Sequence, residues 1–483
     1  MTGEQEATTT RLHSGESNAM MVSPPSSRGW FEKAGLIVGM AHSQAEREQD
    51  YVTYISTLVH EIDHFRLMTG TTYGLSAYMA QVLMSYLVIV CTQRLSKYFG
   101  SDAEFRVRLP LPAWRVHAEG LTRQILDESL VSIASVDIMQ QLLDSGAGMS
   151  PAATFPDFYS HVKRLYLRWV EHLVARPSAL GVNRQLVLAP HEVAPEDRLG
   201  ALDLLETHAR LSQTVQFGSF ERQVEKRRHA GLKALLSQSR TGSAAEFQSL
   251  LQAFTGRYGS ALAIAGRHMH IRTSDDIAIF GMLCDLALMT PYGFAFDGAA
   301  DGHSYDWWDL HPGWRFLRAA RWVGESRRVW RREECPELVE AICASFGWPT
   351  PGVLVQVARD SGILEDWKPL PSAFSRAFAI RVEAPAVFGC PWCVDALPEG
   401  WREALMPPII VLRDGARRRD DAPDQARLVY AYCTHDIARQ LLTQRGLIAP
   451  LGAEWGQSNA LREVTKDLLP RAFGITEGML TPA

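Results

Sequence analysis

One segment near the start of the chain constrains its fold more than any other sequence feature. Between residues 49 and 69 the apolar side chains recur at the spacing of a helix face, and Gly70 stands where a helix would end. The same segment contains the string HEIDH, which begins at His60 and ends at His64. On a helix these two histidines lie one turn apart and project from the same face. The apolar residues around them predict a helix that is anchored against the core.

Two imidazoles at this spacing can bind one tetrahedral Zn²⁺ and leave room for a third protein ligand and a water. Glu61 follows the first histidine and is rotated from it by about 100°, so its carboxylate can reach water at the metal. Zinc lowers the pKa of such a water towards ~7, which lets a carboxylate accept the proton. A chance match to His-Glu-x-x-His is expected only about 0.03 times in this composition. We therefore interpret His60 and His64 as zinc ligands and Glu61 as the catalytic base; the alternative is a pair of ordinary surface histidines.

The string HEIDH resembles the active-site helix of zincin metallopeptidases. The longer string HEIDHFRLMTGTTYGL is similar to a loosely related set of bacterial proteins, in which a Thr-rich turn and Gly-Leu follow the motif helix. Gly70 stands where a metzincin would have its third histidine. The resemblance therefore implies the gluzincin arrangement, with a glutamate on a later helix as third ligand. It covers the motif helix well and the rest of the chain weakly, and it implies a peptide or protein substrate.

Two glutamates are the main candidates for the third ligand. Glu206 lies in a segment, residues 199–209, that resembles the Gly-Ala and Glu-small-x-Ala helix of the same bacterial set. The small residues around it would let two metal-donating helices approach closely. Glu128 is the rival, with Asp137 as a possible partner of a ligating histidine, and Glu119 also stays open. We favour Glu206.

The motif has a second interpretation as a di-iron site. Glu61 and His64 also form the Glu-x-x-His signature of carboxylate-bridged di-iron bundles, which need a second copy on another helix. Of the fifteen histidines, only His64 has an acidic residue three positions earlier. A di-iron oxidoreductase is therefore the third candidate. The first candidate is a zinc hydrolase. The second is a non-catalytic zinc-binding regulatory or interaction protein, and such a protein would not need Glu61.

A second metal site is possible near the C-terminus. Cys390 and Cys393 have the spacing of one edge of a structural zinc site, and Cys433 with His435 could complete it across a hairpin. The alternatives are ordinary buried cysteines or a redox pair.

Composition limits the class of protein. The 483 residues are 46% hydrophobic and 21% charged, which is typical of globular chains. A net charge of −5 gives no basic excess, so no nucleic-acid partner is expected. The seven cysteines are few for the length and odd in number, which favours a reducing compartment, and we expect a cytoplasmic protein. The oligomeric state is open.

The predicted fold class is α+β and predominantly α-helical. We expect a disordered tail (1–28) without the apolar stretch of a signal peptide, a zincin-like helical catalytic region (29–328) and a mixed α/β C-terminal region (329–483). Helices are predicted at residues 49–69, 73–95, 121–143, 158–175, 199–212 and 277–289. Strand-like runs are predicted at residues 185–189, 380–387, 409–413 and 428–432. The uncharged stretch from Arg66 to Arg94 is interpreted as a buried helix, because polar and glycine residues interrupt it, and no membrane span is expected.

Overall fold

The computed structural model describes the chain in separate stretches. These are residues 29–32, 36–40, 51–100, 102, 104–145, 199–225, 259–291, 307–365, 370–391, 401, 405–412, 425–444, 447 and 458–482. The predicted tail, the helix predicted at residues 158–175 and the strand predicted at residues 185–189 lie outside the described residues.

The described part of the chain is predominantly helical, which confirms the coarse fold class. In chain order the helices are α1 (Tyr51–Gly70), α2 (Thr72–Phe99), α3 (Leu111–His117), α4 (Gly120–Ser145), α5 (Ala201–Glu225), α6 (Ser260–His268), α7 (Ser274–Leu288), α8 (Trp307–Leu310), α9 (Pro312–Glu325), α10 (Cys335–Phe346), α11 (Pro351–Asp360), α12 (Ser372–Glu383), α13 (Ala386–Gly389), α14 (Gln425–Thr443) and α15 (Ser458–Leu468). The helices predicted at residues 49–69, 73–95, 121–143, 199–212 and 277–289 correspond to α1, α2, α4, α5 and α7.

Two small sheets connect distant parts of the chain. Their strands are β1 (Gly29–Glu32), β2 (Ile37–Met40), β3 (Val107–Leu109), β4 (Ile409–Leu412) and β5 (Leu480–Pro482). Strand β2 pairs antiparallel with β1 and parallel with β4, so that Val38 lies opposite Ile410. Strands β3 and β5 pair in parallel. Both sheets therefore cross the boundary predicted near residue 328, and that boundary stays a prediction.

Two segments predicted as strands are helical instead. Residues 380–387 span the end of α12 and the start of α13, and residues 428–432 lie within α14. In α14 the buried residues Leu428 and Tyr432 are one turn apart. Burial of a helical face outweighs the preference of aromatic and branched residues for strands. The strand predicted at residues 409–413 is confirmed as β4.

Helix α1 carries three of the candidate site residues, His60, Glu61 and His64. It packs against α5, α12, α2 and the first two strands, and its residue Phe65 is fully buried. Ser56 near its start is hydrogen bonded to Gln213, whereas Asp63 near its end contacts His208. The residue numbers rise on one helix as they fall on the other, so α1 and α5 run antiparallel.

A capped turn connects α1 to α2. The side chain of Thr71 accepts a hydrogen bond of 3.1 Å from the backbone N–H of Gly74 and so caps α2. A Cβ atom on Gly74 would lie 1.8 Å from the carbonyl oxygen of Met68, so only glycine fits there. The Thr-rich string after the motif is thus explained by a close helix–helix turn.

Helix α2 is long and apolar enough to cross a membrane, and the bent pair Arg332–Phe346 and Pro351–Asp360 passes the same test when it is counted as one span. Core helices of soluble proteins also pass this test. Helix α2 packs against α4 and α14, and its residues Val88, Cys91 and Leu95 are buried. The interpretation of α2 as a core helix stays a prediction.

Candidate metal centre

Two histidines of α1 and one glutamate of α5 bring their ligand atoms together. The Nε2 atoms of His60 and His64 lie 3.1 Å apart, and Oε2 of Glu206 lies 3.4 Å and 3.5 Å from them. Both imidazoles are buried, and the side chain of Glu206 is 28% exposed, although its Oε2 atom is buried. Among the residues that the structure describes, these three side chains form a group that could bind a metal ion. His60, His64 and Glu206 are called the metal group from here on.

The three distances fit ligands that surround one ion. Atoms about 2.0–2.1 Å from a tetrahedral zinc ion lie about 3.3 Å from one another. Hydrogen bonds explain these three close contacts less well. Each Nε2 carries at most one hydrogen, so two of the three contacts at most can be satisfied. A cation that faces all three atoms satisfies every contact at once.

Glu61 is buried beside this group. Burial raises the pKa of Glu61 to about 7; the neighbouring His60 opposes this shift, and Glu206 adds to it. A carboxyl group with a pKa near neutrality can accept a proton and later return it.

Glu206 shows the opposite behaviour. Burial alone would raise its pKa, but His64 and His60 together outweigh burial and hold the pKa of Glu206 well below its usual range. Glu206 is therefore ionised, as a metal ligand must be.

The rival glutamates lie elsewhere. Glu128 is exposed on α4, where it accepts hydrogen bonds from Arg94 at 2.8 Å and Gln124 at 3.1 Å. Asp137 lies on the same helix, and Glu119 is exposed just before it. The structure thus brings Glu206, and not Glu128, to the histidines of α1, while the ligand role of Glu206 stays a prediction.

The second predicted zinc site does not take the expected form. Cys433 and His435 lie on α14 rather than on a hairpin. Nδ1 of His435 lies 3.1 Å from Oγ of Ser85 on α2. Cys390 is buried directly after α13, and Cys393 lies outside the described residues.

A buried polar network lies next to the metal group. Oδ2 of Asp63 lies 2.6 Å from Nδ1 of His208, and the other oxygen of Asp63 accepts a hydrogen bond from Arg66. Nε2 of His208 lies 2.7 Å from the carbonyl oxygen of Gly389. The side chains of His208 and Asp63 are 0% and 1% exposed. The sequence around Asp63 and around His208 predicts no role for either residue, although His208 stands two positions after Glu206.

A second buried ion pair holds the end of α1. Arg381 of α12 donates two hydrogen bonds to the carboxylate of Asp285 on α7, at 2.8 Å and 2.6 Å. It also donates to the carbonyl oxygen of Gly70. Its guanidinium lies 4.1 Å from the ring centre of Phe388. Because a bidentate pair has a fixed geometry, α1 is anchored to α7 and α12 on the side of its last turn.

Comparison with family models, curated proteins and solved structures finds no match for this chain.

Proposed function

We propose that this protein is a zinc-dependent hydrolase of the metallopeptidase type, in which His60, His64 and Glu206 hold the metal and Glu61 is the catalytic base. The main support is the meeting of two Nε2 atoms and one carboxylate oxygen at the spacing of tetrahedral ligands. A buried glutamate stands directly beside them. The placement also agrees with the gluzincin pattern, in which the third ligand comes from a later helix.

The ligand set favours zinc in a catalytic role. Two histidines and one glutamate are a set found in zinc hydrolases, where the fourth position is left for water or substrate. Glu206 is the most exposed of the three side chains, at 28%. We expect solvent and substrate to approach the interface between α1 and α5 from the side of Glu206.

The chemistry is divided between the metal and one side chain. A bound zinc ion supplies Lewis acidity, which polarises a carbonyl group and acidifies water. Glu61 accepts a proton from the attacking water and returns it to the leaving amine, because its carboxyl group is buried directly beside the three ligand side chains.

The test combines metal analysis with one near-isosteric substitution. The purified protein should contain about one equivalent of zinc, and His60→Ala should remove it. Glu61→Gln should keep the fold and the zinc but lose hydrolysis by about 10²–10⁴-fold, because an amide cannot accept the proton. Proteolysis profiles of native-host cells that express wild type or Glu61→Gln measure this loss.

Three outcomes would contradict parts of the proposal. Stoichiometric iron without zinc would replace it by the di-iron alternative. Identical cleavage by wild type and Glu61→Gln would remove Glu61 from its role as base. Zinc binding without any cleavage in the native host would favour a non-catalytic zinc-binding protein.

A further inference from the structure

We infer that Asp63 and His208 act as positioning residues, which orient Glu206 towards the two histidines through a hydrogen bond between the ligand-bearing helices. The inference rests on the proposed function, since it assigns both residues a task at the same metal group. Asp63 stands directly before His64 on α1, and His208 follows Glu206 by two residues on α5. Their contact of 2.6 Å therefore links the two helices right beside the three candidate ligands, whereas the bond between Ser56 and Gln213 lies further along them.

His208 and Glu206 leave α5 in different directions. Two residues correspond to a rotation of about 200° around a helix. The exposures agree, because the side chain of His208 is 0% exposed and that of Glu206 is 28% exposed. His208 therefore holds α5 from its buried side, while Glu206 reaches the metal group from the more exposed side.

The contact controls the rotation of α5 about its axis. The tip of a side chain lies about 5–6 Å from the helix axis, so a rotation of about 10° moves it by about 1 Å. Metal–ligand distances tolerate only about 0.2 Å. A small rotation of α5 would thus take Glu206 out of ligand distance even if both helices stayed folded and packed.

Both contact partners of His208 are themselves held in place. Asp63 is also bound by Arg66, which lies on the same helix. Gly389 is packed so closely on α7 that a Cβ atom there would lie 2.8 Å from Cα of Met282. Its carbonyl oxygen, 2.7 Å from Nε2 of His208, is therefore a second fixed point.

Stability alone explains such a pair poorly. Replacing both partners of a buried hydrogen bond by apolar groups of the same shape can be nearly neutral for stability. A hydrogen bond differs from an apolar contact in its direction dependence. Direction is the property that is needed to fix the rotation of a helix.

The test compares three substitutions of His208 by their effect on metal binding. His208→Asn places an amide nitrogen near the position of Nδ1 and can keep the bond to Asp63. His208→Gln places its amide near the position of Nε2 and can reach only the carbonyl oxygen of Gly389. We expect Ala and Gln to weaken Zn²⁺ affinity by about 10–100-fold, and Asn to restore most of it.

Two readouts separate positioning from a general loss of stability. Zn²⁺ affinity is measured by competition with a chromophoric chelator, and the visible spectrum of Co²⁺-loaded protein reports the coordination geometry. The matched control is His435→Ala, which removes another buried histidine that links two helices, here through Ser85. This control should lower thermal stability and leave Zn²⁺ affinity and the Co²⁺ spectrum unchanged.

The inference is wrong if His208→Ala affects Zn²⁺ affinity no more than His435→Ala does. If His208→Ala does not fold, the Zn²⁺ affinities of His208→Asn and His208→Gln are compared instead. Equal affinities of these two variants would overturn the inference. Absence of metal binding by wild type would instead refute the proposed function, and the inference with it. Because neither readout needs hydrolysis, wild type that binds zinc without cleaving peptides still tests the inference.

Discussion

Replacing Glu206 by alanine should empty the metal group, whereas the same change at Glu128 should not. Glu206 makes two of the three contacts among the ligand atoms, at 3.4 Å and 3.5 Å. Its removal leaves two imidazoles, which alone do not make the three-ligand set of a catalytic zinc site. Glu128 lies on the surface of α4 and contacts Arg94.

The expected size of the effect follows from the place of Glu206 in the group. Loss of a residue that only supports a ligand costs about 10–100-fold in metal affinity. Loss of a direct ligand should therefore exceed about 100-fold, or about 2.7 kcal/mol. At free zinc of about 100 times the wild-type Kd, the metal stabilises wild type by about 2.7 kcal/mol. A variant with a Kd that is 100-fold weaker gains only about 0.4 kcal/mol under the same conditions.

Denaturant unfolding at fixed free zinc, repeated with a chelator, measures this gain directly. Wild type and Glu128→Ala should show the same zinc-dependent increase in the free energy of unfolding. Glu206→Ala should show almost none, although its chelator-treated form should still unfold cooperatively. If Glu206→Ala keeps the full gain, or if Glu128→Ala loses it, the assignment of the third ligand is wrong.

Two further predictions concern stability away from the metal group. Burial, with a smaller contribution from Arg439, lowers the pKa of His435 from 6.5 to about 4. The unfolded chain therefore binds this proton more tightly, and stability should fall by up to about 3 kcal/mol between pH 6.5 and pH 4. His435→Asn should remove this part of the pH dependence in denaturant titrations; an unchanged pH dependence would contradict the explanation. Gly74→Ala should destabilise the protein by about 1–3 kcal/mol, because its Cβ would lie 1.8 Å from the carbonyl oxygen of Met68. Gly266→Ala on α6 is the control, since its Cβ meets nothing within 4 Å, and it should stabilise by about 0.5–1 kcal/mol; equal thermal stability of the two variants would rule out the steric argument.

The parts of the site that sequence could predict are those encoded by local spacing. His60, Glu61 and His64 lie within five residues, and the apolar periodicity around them is enough to place them on α1. Glu206 could be favoured because its segment, residues 199–209, resembles a helix of the bacterial set whose small residues permit close approach of a second helix. The choice over Glu128 depends on which helix packs against α1, and local spacing does not determine that.

The buried polar network could not be predicted because its partners are far apart in the chain. Asp63 and His208 are 145 residues apart, and Asp285 and Arg381 are 96 residues apart. A carboxylate within the apolar segment that forms α7 does indicate a buried partner for Asp285. Which residue is the partner of Asp285 depends on how α12 packs against α7. The last residues of α12 resemble a strand in sequence.

The two variable positions of the motif, Ile62 and Asp63, face different neighbours, and this explains why they are not equivalent. His60 and His64 face Glu206 across the interface between α1 and α5, whereas Ile62 packs against the apolar cluster that contains Val38 and Leu412 of the first sheet. Ile62 needs only size and apolarity, so similar aliphatic residues can replace it. Asp63 has an acceptor role at a fixed direction and at almost complete burial, where an unmatched polar group is costly. A motif written only from metal chemistry as His-Glu-x-x-His therefore omits Asp63, a position that this fold also constrains through burial and through its contacts with Arg66 and His208.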